Sequence, residues 1–233
     1  MFTPLNNPVW HALGEAHAPF RLELQDNVRF YHPDYCRFGA FSAPADLTDS
    51  INRYAAQSGA PFFLVGENPS VTALQGQLEE VVCDQMVLHD PIKATINYPI
   101  QALNGGYEDD LYALVNLVQP GYFCPRTPEM GAYSGIFVEG KLVAAAGERM
   151  KLASFTEISA VVTHPEFTGR GFAKQLVAHC ADKIYGEGKT PFLHVTSNNE
   201  SAIGLYKKLG FRFRRKMSFW KVTYNRTNFS SKE

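Results

Sequence analysis

The run from Glu157 to Glu187, EISAVVTHPEFTGRGFAKQLVAHCADKIYGE, constrains the fold of this chain more than any other. It begins with Ile158, Ala160, Val161 and Val162, an apolar stretch suited to a buried strand. Thr163-His164-Pro165 ends regular pairing, because the proline restricts the residue before it. Gly169-Arg170-Gly171 then leads straight into a helical pattern. Phe172, Ala173, Leu176, Val177, Cys180, Ala181 and Ile184 recur at spacings of three and four, which makes one face apolar. Strand, glycine turn and helix in that order gather free backbone N–H groups and the positive end of a helix dipole at one point. Such a point suits an anion, and a phosphate in particular.

The sequence on either side extends the unit. Tyr133–Val138 and Leu142–Met150 read as a hairpin turning at Glu139-Gly140-Lys141, and a third strand starts at Phe155. Val143, Ala144, Ala145 and Ala146 are small, so something can pack closely over that strand. Beyond the helix, Gly186-Glu187-Gly188 supplies a C-terminal stop. Pro191–Val195 is a short strand reached through a helix, hence parallel to the strand before it. Asn198 or Asn199 can cap a helix with Ala202, Leu205, Tyr206 and Leu209 on its inner face. Gly210 ends that helix, and Phe211–Val222 returns as a long strand.

The first hundred residues are less legible. Arg21–Leu24 alternates, Pro61–Val65 reads as a buried strand, and Asp46–Ala56 as a helix. Val71–Leu78 is expected to be a second helix and Val81–Leu88 another strand. Breakers at Pro91 and Pro99 put a domain junction near residue 100. The expected division is an α/β domain over 1–100, a second domain over 101–225 and a polar tail over 226–233. A short amphipathic helix spans Asp109–Val118, and Pro120-Gly121 stops it. The loop GYFCPRTPEM (121–130) that follows is too bulky to be plain connector. It either plugs a core gap or walls a binding pocket.

Composition narrows the classes of function. The net charge of −1 offers no basic field for nucleic acid or an anionic membrane surface. There is no apolar run of about 18 residues for a membrane span and no basic, then apolar, N-terminal leader, so a cytoplasmic protein is expected. Cys36, Cys83, Cys124 and Cys180 are far apart and form no C-x-x-C pair, so neither a metal site nor a redox motif is expected.

The glycine turn is not either of two common phosphate loops. A Walker loop requires Gly-Lys-Ser/Thr, and Gly171 is followed by Phe172-Ala173-Lys174. A dinucleotide fingerprint requires a small residue where Lys174 stands. A turn that merely joins strand to helix remains an alternative. Turn and downstream sequence together, however, resemble the GNAT superfamily of acyl-CoA-dependent N-acyltransferases over residues 105 to 222. The family loop Gln/Arg-x-x-Gly-x-Gly/Ala is matched by Thr168-Gly169-Arg170-Gly171-Phe172-Ala173 at Gly171 and Ala173. The lead-in Thr163–Phe167 is similar to the family as well. So is Asn199-x-x-Ala202-x-x-Leu205-Tyr206 followed by Lys207-Lys208-Leu209-Gly210-Phe211. Thr168 departs from the usual Gln or Arg, a position that contributes chiefly through its backbone.

The resemblance implies an α+β fold: a mixed, mostly antiparallel twisted sheet with flanking helices. Together with chain length and the two-half forms of the superfamily, it implies an N-terminal half that is a degenerate copy. It implies acetyl-CoA as cosubstrate, without a metal. Backbone from Thr168 to Lys174 (Gly169, Arg170, Gly171, Phe172, Ala173 between them) would hold the pyrophosphate. The strands Glu157–Val162 and Pro191–Val195 would splay, with the pantetheine arm against Val161, Val162, Thr163 and Asn199. Acetyl transfer to the amine of a small molecule or amino acid, by direct attack in a ternary complex, would follow. Glu157 is then the candidate base, directly or through water, and Tyr206 the candidate acid for the leaving thiolate. Arg126, Tyr133 and Glu148 are candidates for the acceptor pocket. His164 and His194 are titratable neighbours of the loop and gap. The competing expectation is a regulatory module that binds acyl-CoA without turning it over.

Overall fold

The computed structural model describes residues 2–25, 27–43 and 45–224. The chain opens with a 3-10 turn at Thr3–Asn6 and α1 (Pro8–Gly14). Pro8 fits the first helical position because it has no N–H to leave unpaired, and Asn7 caps by accepting from the Trp10 amide at 3.4 Å. β1 (Arg21–Gln25), β2 (Val28–Tyr31) and β3 (Phe38–Phe41) form an antiparallel meander. α2 (Thr48–Ser58) crosses to β4 (Phe62–Val65), which lies parallel to β3. β5 (Gly76–Leu88) is a long strand, followed by the two-residue β6 (Gln101–Ala102) and α3 (Glu108–Val118).

The second half retraces the path of the first. β7 (Tyr133–Val138), β8 (Lys141–Lys151) and β9 (Phe155–Thr163) make the meander, α4 (Phe172–Gly186) crosses over, and β10 (Thr190–Thr196) runs parallel to β9. α5 (Glu200–Lys208) and β11 (Phe211–Tyr224) complete the described chain. All the strands join one sheet in the order β1-β2-β3-β4-β11-β5-β10-β9-β8-β7-β6. The last strand of each half is exchanged: β5 pairs antiparallel with β10 of the second half, and β11 with β4 of the first. The sheet therefore runs unbroken from one half to the other. The expected fold is borne out: a mixed, mostly antiparallel sheet with flanking helices and a first half of the same type.

The sheet curls on itself. β3 and β8 are far apart in strand order, yet the Arg149 guanidinium sits 4.8 Å over the Phe38 ring. Tyr31, Phe38 and Leu13 share one buried cluster with Met150, Phe155 and Phe192. His17 ties the halves further, its ring nitrogens 2.8 Å from the Tyr31 hydroxyl and 3.1 Å from the Met130 carbonyl. The opposite face of the second half is covered by α4, whose Phe172, Leu176, Val177, Cys180, Ala181 and Ile184 are buried as the helical spacing requires.

One expected element is corrected. Val71–Leu78 is not a helix; residues 71–75 are an irregular connection and Gly76 starts β5. The Thr72 amide donates to Thr48 Oγ1 at 3.0 Å and the Gln75 amide to Asn52 Oδ1 at 3.3 Å, so the backbone is spent on tethers to α2. Gly76 is needed where β5 meets β11, since a Cβ there would stand 2.2 Å from the Thr223 carbonyl oxygen. The 121–130 loop does plug the core with Phe123, Cys124, Thr127 and Met130, and leaves Tyr122 half-exposed, stacked on Phe63. The polar tail expected at 226–233 lies outside the described residues. Among the described residues no helix is long and apolar enough to cross a membrane.

Candidate active site

The glycine turn has the form that its sequence requires. Gly169 and Gly171 take φ values of 78° and 76°, a region that costs an L-residue on the order of 1 kcal/mol. Gly171 is the N-cap of α4 and offers no side chain to cap it. None of the amide N–H groups from Thr168 to Lys174 makes a hydrogen bond among the described residues. Orphan donors at the positive end of a helix form an anion site. The first half shows the contrast. At the matching crossover, Asp46 accepts from the Thr48 hydroxyl at 2.6 Å, the Thr72 hydroxyl at 2.7 Å and the Thr48 amide at 3.0 Å. These hydrogen bonds lower the Asp46 pKa to about 2. A built-in carboxylate occupies the helix start where an external anion would sit, which is the sense in which this copy is degenerate.

Next to the turn, β9 and β10 separate. They pair only at Thr190–Phe155, Pro191–Thr156 and Phe192–Glu157, after which Ile158–Thr163 keep β8 as neighbour and Leu193–Thr196 keep β5. A bulge in β9 accompanies the separation: the register with β8 shifts between Ala145 and Gly147, and Ala160 has φ of 50°. Val162 and Thr163 pair with Ala145 and Ala144 of β8, and the edge of β9 that faces the slot along Val161–Thr163 has no strand partner. Beyond the start of α4 lies a cleft of about 490 Å³, lined by Lys93, Lys174, Lys207, Lys208 and Arg212 with only Asp90 of opposite sign. Of these cations Lys174 stands out in the sequence through its place in the turn, and Lys207 and Lys208 through the motif that follows Asn199. Lys93 and Arg212 carry no such mark, and only the fold gathers all five.

Glu157 and His194 are buried side by side on β9 and β10, at 0% and 2% side-chain exposure. Arg149 of β8 clamps the carboxylate, Nε to Oε2 at 2.7 Å and Nη2 to Oε1 at 2.6 Å, and His194 Nδ1 lies 2.7 Å from Oε1. Burial raises the Glu157 pKa, but Arg149's charge and hydrogen bonds and the His194 bond outweigh it and bring it to about 2. No local motif points to Arg149. The available signal is the adjacent charges Glu148 and Arg149 inside the otherwise apolar strand LVAAAGERM, each of which demands a partner if buried.

Tyr206 lies on α5, 7% exposed, packed near Phe211 with ring centroids 5.9 Å apart. Its hydroxyl makes no hydrogen bond among the described residues, and burial pushes its pKa up to about 12. Asn199 caps α5, Oδ1 accepting from the Ala202 amide at 3.1 Å. His164 accepts from the Glu166 amide at 3.3 Å and so shapes the lead-in turn. Of the three acceptor-pocket candidates, Tyr133 is buried near Arg149 and Glu157, and burial raises its pKa against the lowering effect of the Arg149 charge. Arg126 is instead held by Glu129, at 2.7 and 2.9 Å. Glu148 is held by Lys151 at 2.7 Å and the Ala132 amide at 3.1 Å. Among the described residues no group of His, Cys, Asp and Glu is placed to hold a metal ion.

Known proteins resemble this chain. Residues 133–220 match the FR47-like protein family. No curated protein matches the sequence. A solved structure from Novosphingobium aromaticivorans, assigned to the GNAT acetyltransferase family, is 31% identical with a TM-score of 0.85, covering 95% of this chain and 99% of its own. A GCN5-related N-acetyltransferase from Kribbella flavida shares the fold at 13% identity and TM-score 0.65, covering 95% and 96%. A tandem GNAT protein from the clavulanic acid biosynthesis pathway shares it at 12% identity and TM-score 0.53, covering 83% and 77%. On the turn, the splayed strands, the doubled sheet and these likenesses, the chain belongs to the GNAT family of acetyltransferases.

Proposed function

We propose that this protein transfers an acetyl group from acetyl-CoA to the amine of a small molecule or amino acid, both bound together. The observation that carries the reading is the uncapped row of N–H donors from Thr168 to Lys174, opening onto the slot between β9 and β10. These donors fit a diphosphate, and the basic cleft beside them suits a further phosphate. Val161, Val162 and Thr163 can pair their backbone with the amides of a pantetheine arm. Asn199 stands just past the end of β10, and capping uses only its oxygen, so its NH₂ group can donate to the same arm. When bound, acetyl-CoA supplies an activated acyl thioester.

The side chains divide the remaining work. Tyr206 at a pKa of about 12 keeps its proton throughout the working pH range. Complete transfer to a thiolate of pKa near 8.5 runs uphill by about 5 kcal/mol, so Tyr206 serves as a fixed hydrogen-bond donor to the departing sulfur. Glu157 at about 2 is a weak proton acceptor. Moving a proton to it from an ammonium of pKa near 10.4 costs about 11 kcal/mol, whereas losing that proton to solvent at pH 7 costs about 5. Direct abstraction by Glu157 therefore loses to solvent. Its contribution is to neutralise Arg149 and hold His194, so that a cationic acceptor meets a neutral cluster rather than a bare guanidinium. Calorimetric titration with acetyl-CoA tests the binding half of the proposal: a stoichiometric, salt-sensitive site is expected, and no binding at millimolar cofactor contradicts it.

A further inference from the structure

Arg214 is the extra residue of a bulge in β11, where Phe213 pairs with Met86 and Arg215 with Gln85. Its guanidinium donates from Nη1 to Gln85 Oε1 at 2.7 Å, and from Nη2 to the Phe2 carbonyl at 3.0 Å and Asn6 Oδ1 at 2.5 Å. An arginine can only donate. The atom of Gln85 that it meets is therefore the amide oxygen, which directs the NH₂ group to the other side. There it donates to the Leu5 carbonyl at 2.9 Å, an atom that can only accept, so two independent partners fix the same orientation. The same NH₂ lies 3.0 Å from His194 Nε2. Because an NH₂ group does not accept, Nε2 carries the lone pair, and the ring proton sits on Nδ1, where it is donated to Glu157.

We infer that Arg214, Gln85 and the segment Phe2–Asn6 are positioning residues of the active site, which lock His194 as a neutral Nδ1–H donor to Glu157. The catalytic consequence rests on the acetyltransferase reading; the tautomer does not. A second proton on His194 would have to enter at Nε2 against a hydrogen donor. Gln85 cannot turn to receive it without facing Arg214 and the Leu5 carbonyl with the wrong atoms. The lock keeps the cluster of Arg149, Glu157 and His194 electrically neutral. A charged His194 would give that cluster a net positive charge and repel a cationic acceptor. The other groups around the ring do not replace the lock. Phe192 and Phe219 meet it edge-on, with centroids 5.6 and 5.2 Å away. Cys83 of β5 and Tyr31 and Cys36 of the first half are kept protonated by burial.

Nitrogen-15 spectra of histidine-labelled full-length protein test this without any acyl transfer. His194 is expected to show a protonated Nδ1 and a bare Nε2. An Nε2–H tautomer, or a doubly protonated ring at neutral pH, overturns the lock. In Gln85→Met the block is gone, and the spectra are expected to show protonated Nε2 appearing beside protonated Nδ1. In that variant kcat/KM for the acceptor should fall about tenfold while KM for acetyl-CoA holds. A folded Gln85→Met protein with the wild-type spectra and the wild-type kcat/KM overturns the positioning role. Were the protein shown not to transfer acetyl groups, the spectra would still decide the tautomer, so the two failures are distinct results.

Discussion

Arg149 and Glu157, on adjacent strands inside the curled sheet, meet in a two-pronged ion pair at 2.6 and 2.7 Å with Glu157 fully buried. The pair joins the chemistry of the second half to the packing of the first, because Phe38 of β3 lies under the guanidinium. A buried pair contributes little net stability against an apolar replacement, but losing one partner leaves a bare charge. Arg149→Met is therefore expected to destabilise the fold by about 3–5 kcal/mol, and the double variant Arg149→Met/Glu157→Met by clearly less than the sum of the single changes. Denaturant unfolding of the three proteins checks this; additive losses contradict it.

Tyr206→Phe removes one hydroxyl and little else, since that hydroxyl has no partner within the described protein. Turnover is expected to fall on the order of 10²-fold with acetyl-CoA affinity nearly intact. Equal turnover in the variant ends the assignment of Tyr206 to the leaving sulfur.

Gly171 tests the turn. Open space surrounds a Cβ built there, but its φ of 76° strains any L side chain. Gly171→Ala carries that strain alone and should bind acetyl-CoA with modest loss. Gly171→Glu adds a carboxylate among the orphan N–H donors and should abolish binding. Calorimetry showing normal affinity in Gly171→Glu means that the cofactor sits elsewhere.

His17 gives the fold an acid weakness. Burial holds its pKa at about 4, against 6.5 for the free side chain. Between those values the unfolded chain binds the proton and the folded one does not, so stability is lost as pH falls from about 6.5 to 4. That difference corresponds to about 3 kcal/mol. Urea unfolding across this range should show that loss in the wild type and a flatter profile in His17→Gln. Glu157 acts in a lower window: its stabilising charge is complete above about 4.5 and disappears as pH falls toward 2.

The parts of this molecule written in local pattern are legible in its residues alone. The period of α4, the glycines at 169 and 171 and the Asn199 cap each depend on residues within a turn or two of one another. Together they define the β9–α4–β10 unit and the anion site. β2 and β3 carry no such mark, because VRFY and FGAF are short and almost wholly buried, without the alternation of a half-exposed strand. The exchange of β5 and β11 is equally silent, since period two tells a strand from a helix but not its neighbour. Glu157 stands out from its place in the motif, yet its partners Arg149 and His194 lie on other strands. Those partners bring the Glu157 pKa down to about 2 against the effect of burial.

Amine-dependent acetyl transfer at the Thr168–Lys174 turn is best tested by screening amines and amino acids for thiol release from acetyl-CoA, with wild type and Gly171→Glu run in parallel. Release above background is expected with at least one class of amine, and none in the variant. Tight acetyl-CoA binding with no amine able to release thiol would contradict the proposed transfer and identify a protein that holds the cofactor without using it.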